Sequence, residues 1–338
     1  MLIKVAIIND TRTADGHYGC STVMSNLEVI LKKSAVEILW TWPVGKDWRE
    51  HKDYLLSLGK VDALIVNGEG TIHNSSEKRK MPESLSQLAA FAKKEMGIPA
   101  YLINSTIYMN KEKLYRELLN YNKIYVRDTM SQQECLSHGV EVNYAPDLSM
   151  LFPVCENEEL KRSGIGVTDS FFKEKTIQLK KVADRNDWDF VPMVRRREAR
   201  YEGLISKFGK ILNRKDKESE GLSFLSNTEF IKWLRSKNLV VTGRYHTVTL
   251  CILTRTPFIA VESNTPKITA LLKDVFGDSS RILYDISLVN PESEVLNRFS
   301  MFSEKEIVKI DEYFKKIEEL NLNMIKAIIE DIKASSFE

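Results

Sequence analysis

The sequence predicts an α/β protein built as two doubly wound, Rossmann-like domains facing each other across a cleft, with helices at the C-terminus. Three observations carry this. The 338 residues are about twice the ~150 of a typical domain. Short apolar runs alternate with helix-like stretches, the signature of βαβ units on a parallel sheet. The runs are also continuously apolar rather than alternating, as strands covered on both faces should be.

In the first series the strand candidates are IKVAII (3–8), AVEILW (35–40), DALIV (62–66), PAYLIN (99–104) and KIYV (123–126), with VNY before Ala145. Helices are expected over 22–33, 82–96, 111–121 and 130–137. The last is punctuated by Asp128 or Thr129 as N-cap and by Gly139 just past its end, where a left-handed residue is favoured. A second series offers SGIGVT (163–168), DFVPM (189–193), NLVVTG (238–243), PFIAVE (257–262) and RILYDI (281–286) as strands. Its helices are expected over 171–184, 228–236, after Tyr245, and over 267–275. One or two charged amphipathic helices fill 304–335. The expected domains are 1–155 and 156–302, with a helical segment, 303–338, packing across both. The cleft is where a ligand belongs.

Composition narrows the function. Hydrophobic residues are 43% and charged residues 28% of the chain, ordinary for a globular protein. Lys+Arg 49 against Asp+Glu 47 leaves a net charge of +2, which argues against a dedicated nucleic-acid binder. No apolar run reaches the ~18–20 residues of a membrane span, and MLIKVAII does not read as a signal peptide. Cys20, Cys135, Cys155 and Cys251 lie far apart without a C-x-x-C, as expected of free thiols in a reducing cytoplasm. The five histidines (17, 51, 73, 138, 246) offer no H-x-x-x-H or His/Cys cluster by spacing, so no metal site and no cofactor are expected. Walker A and G-x-S-x-G motifs are absent.

The strongest local signal is Thr242-Gly-Arg-Tyr-His246, between a strand and an apolar helical run. Gly243 permits close backbone approach, Arg244 offers a fork for phosphate or carboxylate, and His246 exchanges a proton near neutral pH. The alternative is an Arg and a His that only solvate a strand end. Tyr125-Val-Arg127-Asp128 ends another strand; Arg127 either binds an anion or forms a salt bridge to Asp128 or a nearby carboxylate. Asn67-Gly68-Glu69-Gly70-Thr71 is a tight turn exposing an acid, with His73 close by, and is no dinucleotide fingerprint. Asn9 and Asp10 end the first strand, and His17 precedes a helix start that could hold an anion. Asp147 in Ala145-Pro-Asp147 is an acid or a turn residue. Residues 195–217 carry nine Lys/Arg against three acids. Tyr201, Leu204, Ile205, Phe208, Ile211 and Leu212 fall there at helical spacing, which suits either a membrane-surface helix or an ordinary amphipathic one.

These motifs, in this order from Asn9 to Lys267, resemble the polysaccharide pyruvyl transferase family. The resemblance rests on Asn67–Thr71, Tyr-Val-Arg127-Asp with Ser131, Ala-Pro-Asp147, and Gly-Arg244-Tyr-His246. Thr256-Pro-Phe-Ile-Ala-Val-Glu262 and Lys267 complete it. It implies a two-Rossmann (GT-B) fold and metal-free transfer of the pyruvyl group of phosphoenolpyruvate onto two hydroxyls of a sugar, making a cyclic ketal. By this resemblance Arg127, Arg244, Lys267, His17, Asn9, Gly68 and Gly70 bind substrate. His246 is the acid, with Glu69 or Asp147 as base. The expected partner is a saccharide or lipid-linked saccharide of a cell-surface polysaccharide. The enzyme would be cytoplasmic, with peripheral contact at the inner membrane face through 195–217, and would bind no nucleic acid. Two features depart from the family pattern: Glu69 stands in a turn usually all glycine, and Asn9-Asp10 is followed by a longer loop to His17. They keep open a GT-B glycosyltransferase using a nucleotide-activated sugar such as CMP-Kdo, or a sugar-binding module without activity.

Overall fold

A computed structural model describes residues 2–12, 16–152, 161–194 and 226–335. The basic stripe expected at 195–217, and Cys155, lie outside the described residues. The chain forms two compact units. The first comprises Met1–Thr13, Val23–Leu151 and Glu312–Glu338; the second comprises Ala14–Thr22 and Phe152–Asp311.

The first unit holds six parallel strands: β1 (Ile3–Asp10), β2 (Val36–Pro43), β3 (Ala63–Glu69), β4 (Ala100–Ser105), β5 (Lys123–Val126) and β6 (Asn143–Tyr144). Their order is β2-β1-β3-β4-β5-β6. All seven residues of β3 and all six of β4 are buried, which explains the apolar runs Ala63–Val66 and Ala100–Ile103 that open them. The edge strand β2 mixes buried and exposed positions. Between the strands run α1 (Tyr18–Lys33), α2 (Lys52–Ser57), α3 (Met81–Phe91), α4 (Glu112–Leu118) and α5 (Thr129–Ser137). A core from Ala6 and Val66 to Leu88, Leu114 and Val126 packs beside this sheet, each buried Leu, Ile or Val contributing roughly 1.5–3 kcal/mol.

Helix ends follow their local chemistry. The carboxylate of Asp128 accepts Ser131 N–H at 2.7 Å, capping α5, and Gly139 beyond it has φ 70°. The expected helix over 82–96 is α-helical only to Phe91, then takes a π turn over Ala92–Met96 that Gly97 ends at φ 67°.

Among the described residues the second unit has five parallel strands: β7 (Ile165–Ser170), β8 (Asp189–Phe190), β9 (Leu239–Gly243), β10 (Phe258–Val261) and β11 (Ile282–Leu283), in the order β11-β10-β9-β7-β8. The helices are α6 (Lys173–Asn186), α7 (Asn227–Arg235), α8 (Tyr245–Leu253), α9 (Lys267–Phe276), α10 (Glu294–Phe299) and the 32-residue α11 (Glu304–Ser335). Ser226 and Glu229 form a reciprocal capping box on α7. The core of this unit gathers Val167, Leu179, Val241, Ile259 and Phe299. From Glu312 on, α11 belongs to the first unit. There Asn321 Nδ2 donates to Pro146 O at 3.1 Å and Tyr101 Oη donates to Asp331 at 2.7 Å. No described helix is long and apolar enough to cross a membrane.

Candidate active site

In each sheet the chain leaves its first strand for one side and returns to the other. The carboxyl ends of β1 and β3, and of β7 and β9, are therefore switch points, where open α/β sheets bind ligands. In the second unit Asp169, near the end of β7, meets Arg244, which follows β9. Arg244 Nε donates to Asp169 Oδ2 at 2.9 Å, and Nη2 donates to the same oxygen. The other carboxylate oxygen accepts Met193 N–H at 2.8 Å. Both side chains are buried, so this charge-assisted pair orients the guanidinium. Gly243 is required where β9 meets β7: a Cβ there would lie 2.5 Å from that of Ser170.

Arg244 also stands at the start of α8, its N–H bonded to Thr242 Oγ1 at 3.0 Å. His246, two residues on, is buried and packs on the first turn of α1. A Cβ on Gly19 would fall 2.1 Å from the Cβ of His246, so only glycine allows this approach. The ring of His17 meets that of His246 edge-on, centroids 5.4 Å apart. Cys20 donates its backbone N–H to His17 Nδ1 at 3.3 Å. Tyr18 anchors the turn by stacking on Phe230 at 4.2 Å. Side-chain ligand atoms of His17, Cys20 and His246 all lie within 4.8 Å of one another. This corrects the expectation that no His/Cys cluster exists, because spacing cannot relate residues so distant in sequence. Lys267 opens α9, with Nζ 3.2 Å from Asn264 Oδ1.

The first unit places the remaining candidates at its own strand ends. Asn9 and Glu69 both hold left-handed backbone, φ 66° and 40°, a strained state for non-glycine residues that gathers at functional sites. Asn9 Nδ2 donates to Asn67 O at 2.6 Å, while its buried Oδ1 has no partner among the described residues. Glu69 is buried and accepts Thr11 Oγ1 at 2.5 Å and Asn67 Nδ2 at 3.2 Å. Gly68 is pressed so tightly that a Cβ would lie 2.4 Å from Ser105 Oγ; Gly70 follows β3 in the turn closed by Thr71 N–H on Gly68 O. His73 Nε2 meets Arg79 Nη2 at 2.8 Å. Burial alone would raise the Asp10 carboxyl, but the Arg12 guanidinium on it holds it below the usual carboxylate range.

Arg127 and Asp147 form a fully buried ion pair, Nη1 to Oδ2 2.8 Å. Arg127 Nε donates to Thr106 Oγ1 at 2.9 Å, and Asp147 Oδ1 accepts Ser149 N–H at 2.8 Å. Arg127 thus has a nearby carboxylate partner in Asp147, and its charge partly offsets the rise that burial causes in the adjacent Asp128 carboxyl. Two residues went unnoticed in the sequence. Asp169 was signalled only by its place at a strand end, and Cys20 by its i, i+3 relation to His17 across a helix start.

Residues 17–265 match the sequence model of the family described as polysaccharide pyruvyl transferase, well over half of the chain. No curated protein matches the chain. Among solved structures, UDP-GlcNAc 2-epimerase of Methanocaldococcus jannaschii, in complex with UDP-GlcNAc and UDP, is similar with TM-score 0.54 at 12% identity, over 92% of this chain and 100% of that one. An α,α-trehalose 6-phosphate synthase from Burkholderia multivorans gives TM-score 0.54 at 10% identity, over 99% of each chain. A glycosyltransferase involved in avilamycin A biosynthesis gives 0.50 at 11%, over 98% of each. Identities this low speak for the fold alone. The two parallel α/β sheets are an architecture this chain shares with these structures. The chain belongs to the polysaccharide pyruvyl transferase family.

Proposed function

We propose that the protein transfers the pyruvyl group of phosphoenolpyruvate to two hydroxyls of a saccharide destined for a cell-surface polysaccharide, releasing phosphate and leaving a cyclic ketal. The observation that carries this reading is the placement of Arg244 and His246 together at the β7–β9 switch point, with Asp169 holding the arginine. An enol phosphate bears two anionic groups, and a planar guanidinium suits either. His246 protonates the methylene carbon of the enol, and the adjacent carbon becomes oxocarbenium-like. A sugar hydroxyl attacks that carbon and loses its proton to a base. The carbon–oxygen bond to phosphate then breaks, and the second hydroxyl closes the ketal, its proton passing to the imidazole of His246 and restoring the acid. Arg244 stabilises the departing phosphate, and Glu69 is the carboxylate we assign as base. The acceptor is a free or lipid-linked saccharide met in the cytoplasm.

The test is incubation with phosphoenolpyruvate and saccharide acceptors, following phosphate release and the ketal methyl signal by NMR. His246→Gln is expected to lower turnover by about 10²–10⁴, with phosphoenolpyruvate affinity largely kept. Arg244→Ala should lose donor binding itself. The likeness to an epimerase solved with UDP-GlcNAc supports a second reading, glycosyl transfer from a nucleotide-activated sugar. In that case a nucleotide binds, phosphoenolpyruvate does not, and Glu69→Gln abolishes turnover.

A further inference from the structure

The first turns of α1 and α8 bring together two imidazoles and a thiol, and pyruvyl transfer as proposed uses only one of the three. We propose that His17, Cys20 and His246 form a binding site for a borderline-soft divalent cation of the zinc class, whose occupancy blocks the proton transfer by His246. The blocking half rests on the role proposed above for His246; cation binding does not.

The donor set selects the class. Imidazole nitrogen and thiolate sulfur suit zinc and its neighbours, while magnesium and calcium want oxygen. Three protein ligands leave a tetrahedral ion one open position, the arrangement of exchangeable rather than closed sites. His17 and Cys20 stand three apart across the start of α1 and so share a face. Gly19 between them lets His246 approach from α8, since any side chain there would occupy the space of its ring.

The thiol is suited to the role. Cys20 is the third residue of α1 and is only partly buried. Burial instead pushes the Cys135 thiol up to about 12 and raises that of Cys251 further. His17 and Cys20 are half-buried rather than sealed, giving an ion a way in.

The adjustment needed is small. Bond lengths of about 2.0–2.3 Å to nitrogen and sulfur imply ligand–ligand edges near 3.4–3.6 Å, against present separations within 4.8 Å. Side-chain rotation covers that difference. One hydrogen bond at the site is long, Cys20 N–H to His17 Nδ1 at 3.3 Å. It is lost if Nδ1 binds the ion, or if the ring proton moves to Nδ1 so that Nε2 can. The thiol proton leaves to solvent as the metal–sulfur bond forms, with no change of oxidation state. Once the lone pair of His246 is on a metal, that nitrogen cannot deliver a proton to the enol carbon.

The test is titration of the reduced full chain with cobalt(II) alone. A thiolate-to-cobalt charge-transfer band is expected, saturating at one equivalent and displaced by zinc. It should persist in Cys155→Ser and vanish in Cys20→Ser, and His17→Gln should weaken cobalt binding by about 10-fold or more. In the wild-type protein, zinc should slow iodoacetamide labelling of Cys20 by at least about tenfold, a readout that needs no variant to fold. Absence of the band, its survival in Cys20→Ser, or labelling indifferent to zinc would each overturn the site. Saturating zinc should also stop phosphate release until a chelator is added. Zinc bound with turnover unchanged would refute the blocking half and the acid role of His246 while leaving the cation site standing. Failure to bind would leave pyruvyl transfer untouched.

Discussion

Asp147→Ala probes the buried pair of the first unit. Both side chains are at most 1% exposed, so the substitution takes a directly bonded carboxylate from a buried guanidinium, whose bond to Thr106 Oγ1 stays. Breaking one partner of such a buried pair costs about 3–5 kcal/mol. The change also removes the acceptor of the Ser149 N–H. For a unit of this size each kcal/mol moves the midpoint by about 2–4 °C, so calorimetry should show a fall of roughly 6–20 °C. Arg127→Met combined with Asp147→Leu removes both charges at similar volume and should recover most of the loss, to within about 1–2 kcal/mol of wild type. A single variant that shifts less than ~2 °C, or a double as damaged as the single, would refute the reasoning.

Other expectations follow from the same contacts. Gly19→Ala should cut phosphate release by about a hundredfold through misplacement of His246 and cost about 1–3 kcal/mol of stability from overpacking; unchanged kinetics would show that the two helix starts do not touch. Glu306 would be raised by its partial burial, yet Arg281 and the Ser303 N–H hold its carboxyl below the ordinary 4.5. Its stabilising contribution is thus complete above pH 4.5 and lost as pH falls through the lowered value, so Glu306→Gln should flatten the acid limb of the stability–pH curve. In native protein, iodoacetamide should label Cys20 well before Cys135 or Cys251, whose thiols burial keeps protonated; mass spectrometry of labelled peptides checks the order.

Most of the sheet was legible because burial on both faces writes itself as unbroken apolar runs: β1, β3, β4, β9 and β10 overlap the expected segments. Elements set by tertiary contact were not. The segments at 189–193 and 281–286 shrink to two-residue strands at the sheet edges, where apolar sequence alone cannot tell a ladder from a loop. The helix expected at 22 begins at Tyr18, because Tyr18 is held by Phe230 from far along the chain. Arg244 and His246 were visible through their position after a strand. Their partners were not: Asp169 pairs with Arg244 only because β7 and β9 are neighbours in the sheet, and Cys20 meets His246 only through the packing of Gly19. Arg127 was visible, while its pairing with Asp147, twenty residues on, depended on which strand end that carboxylate came to occupy.

The central claim is that phosphoenolpyruvate is the donor. Thermal unfolding of the full chain with phosphoenolpyruvate, beside CMP, UDP and GDP, tests it directly. A ligand at ~100 times its dissociation constant adds roughly 2.7 kcal/mol to stability, which a melting curve resolves. The account predicts a rise with phosphoenolpyruvate alone, abolished in Arg244→Ala. A rise with one nucleotide, and none with phosphoenolpyruvate, would contradict it.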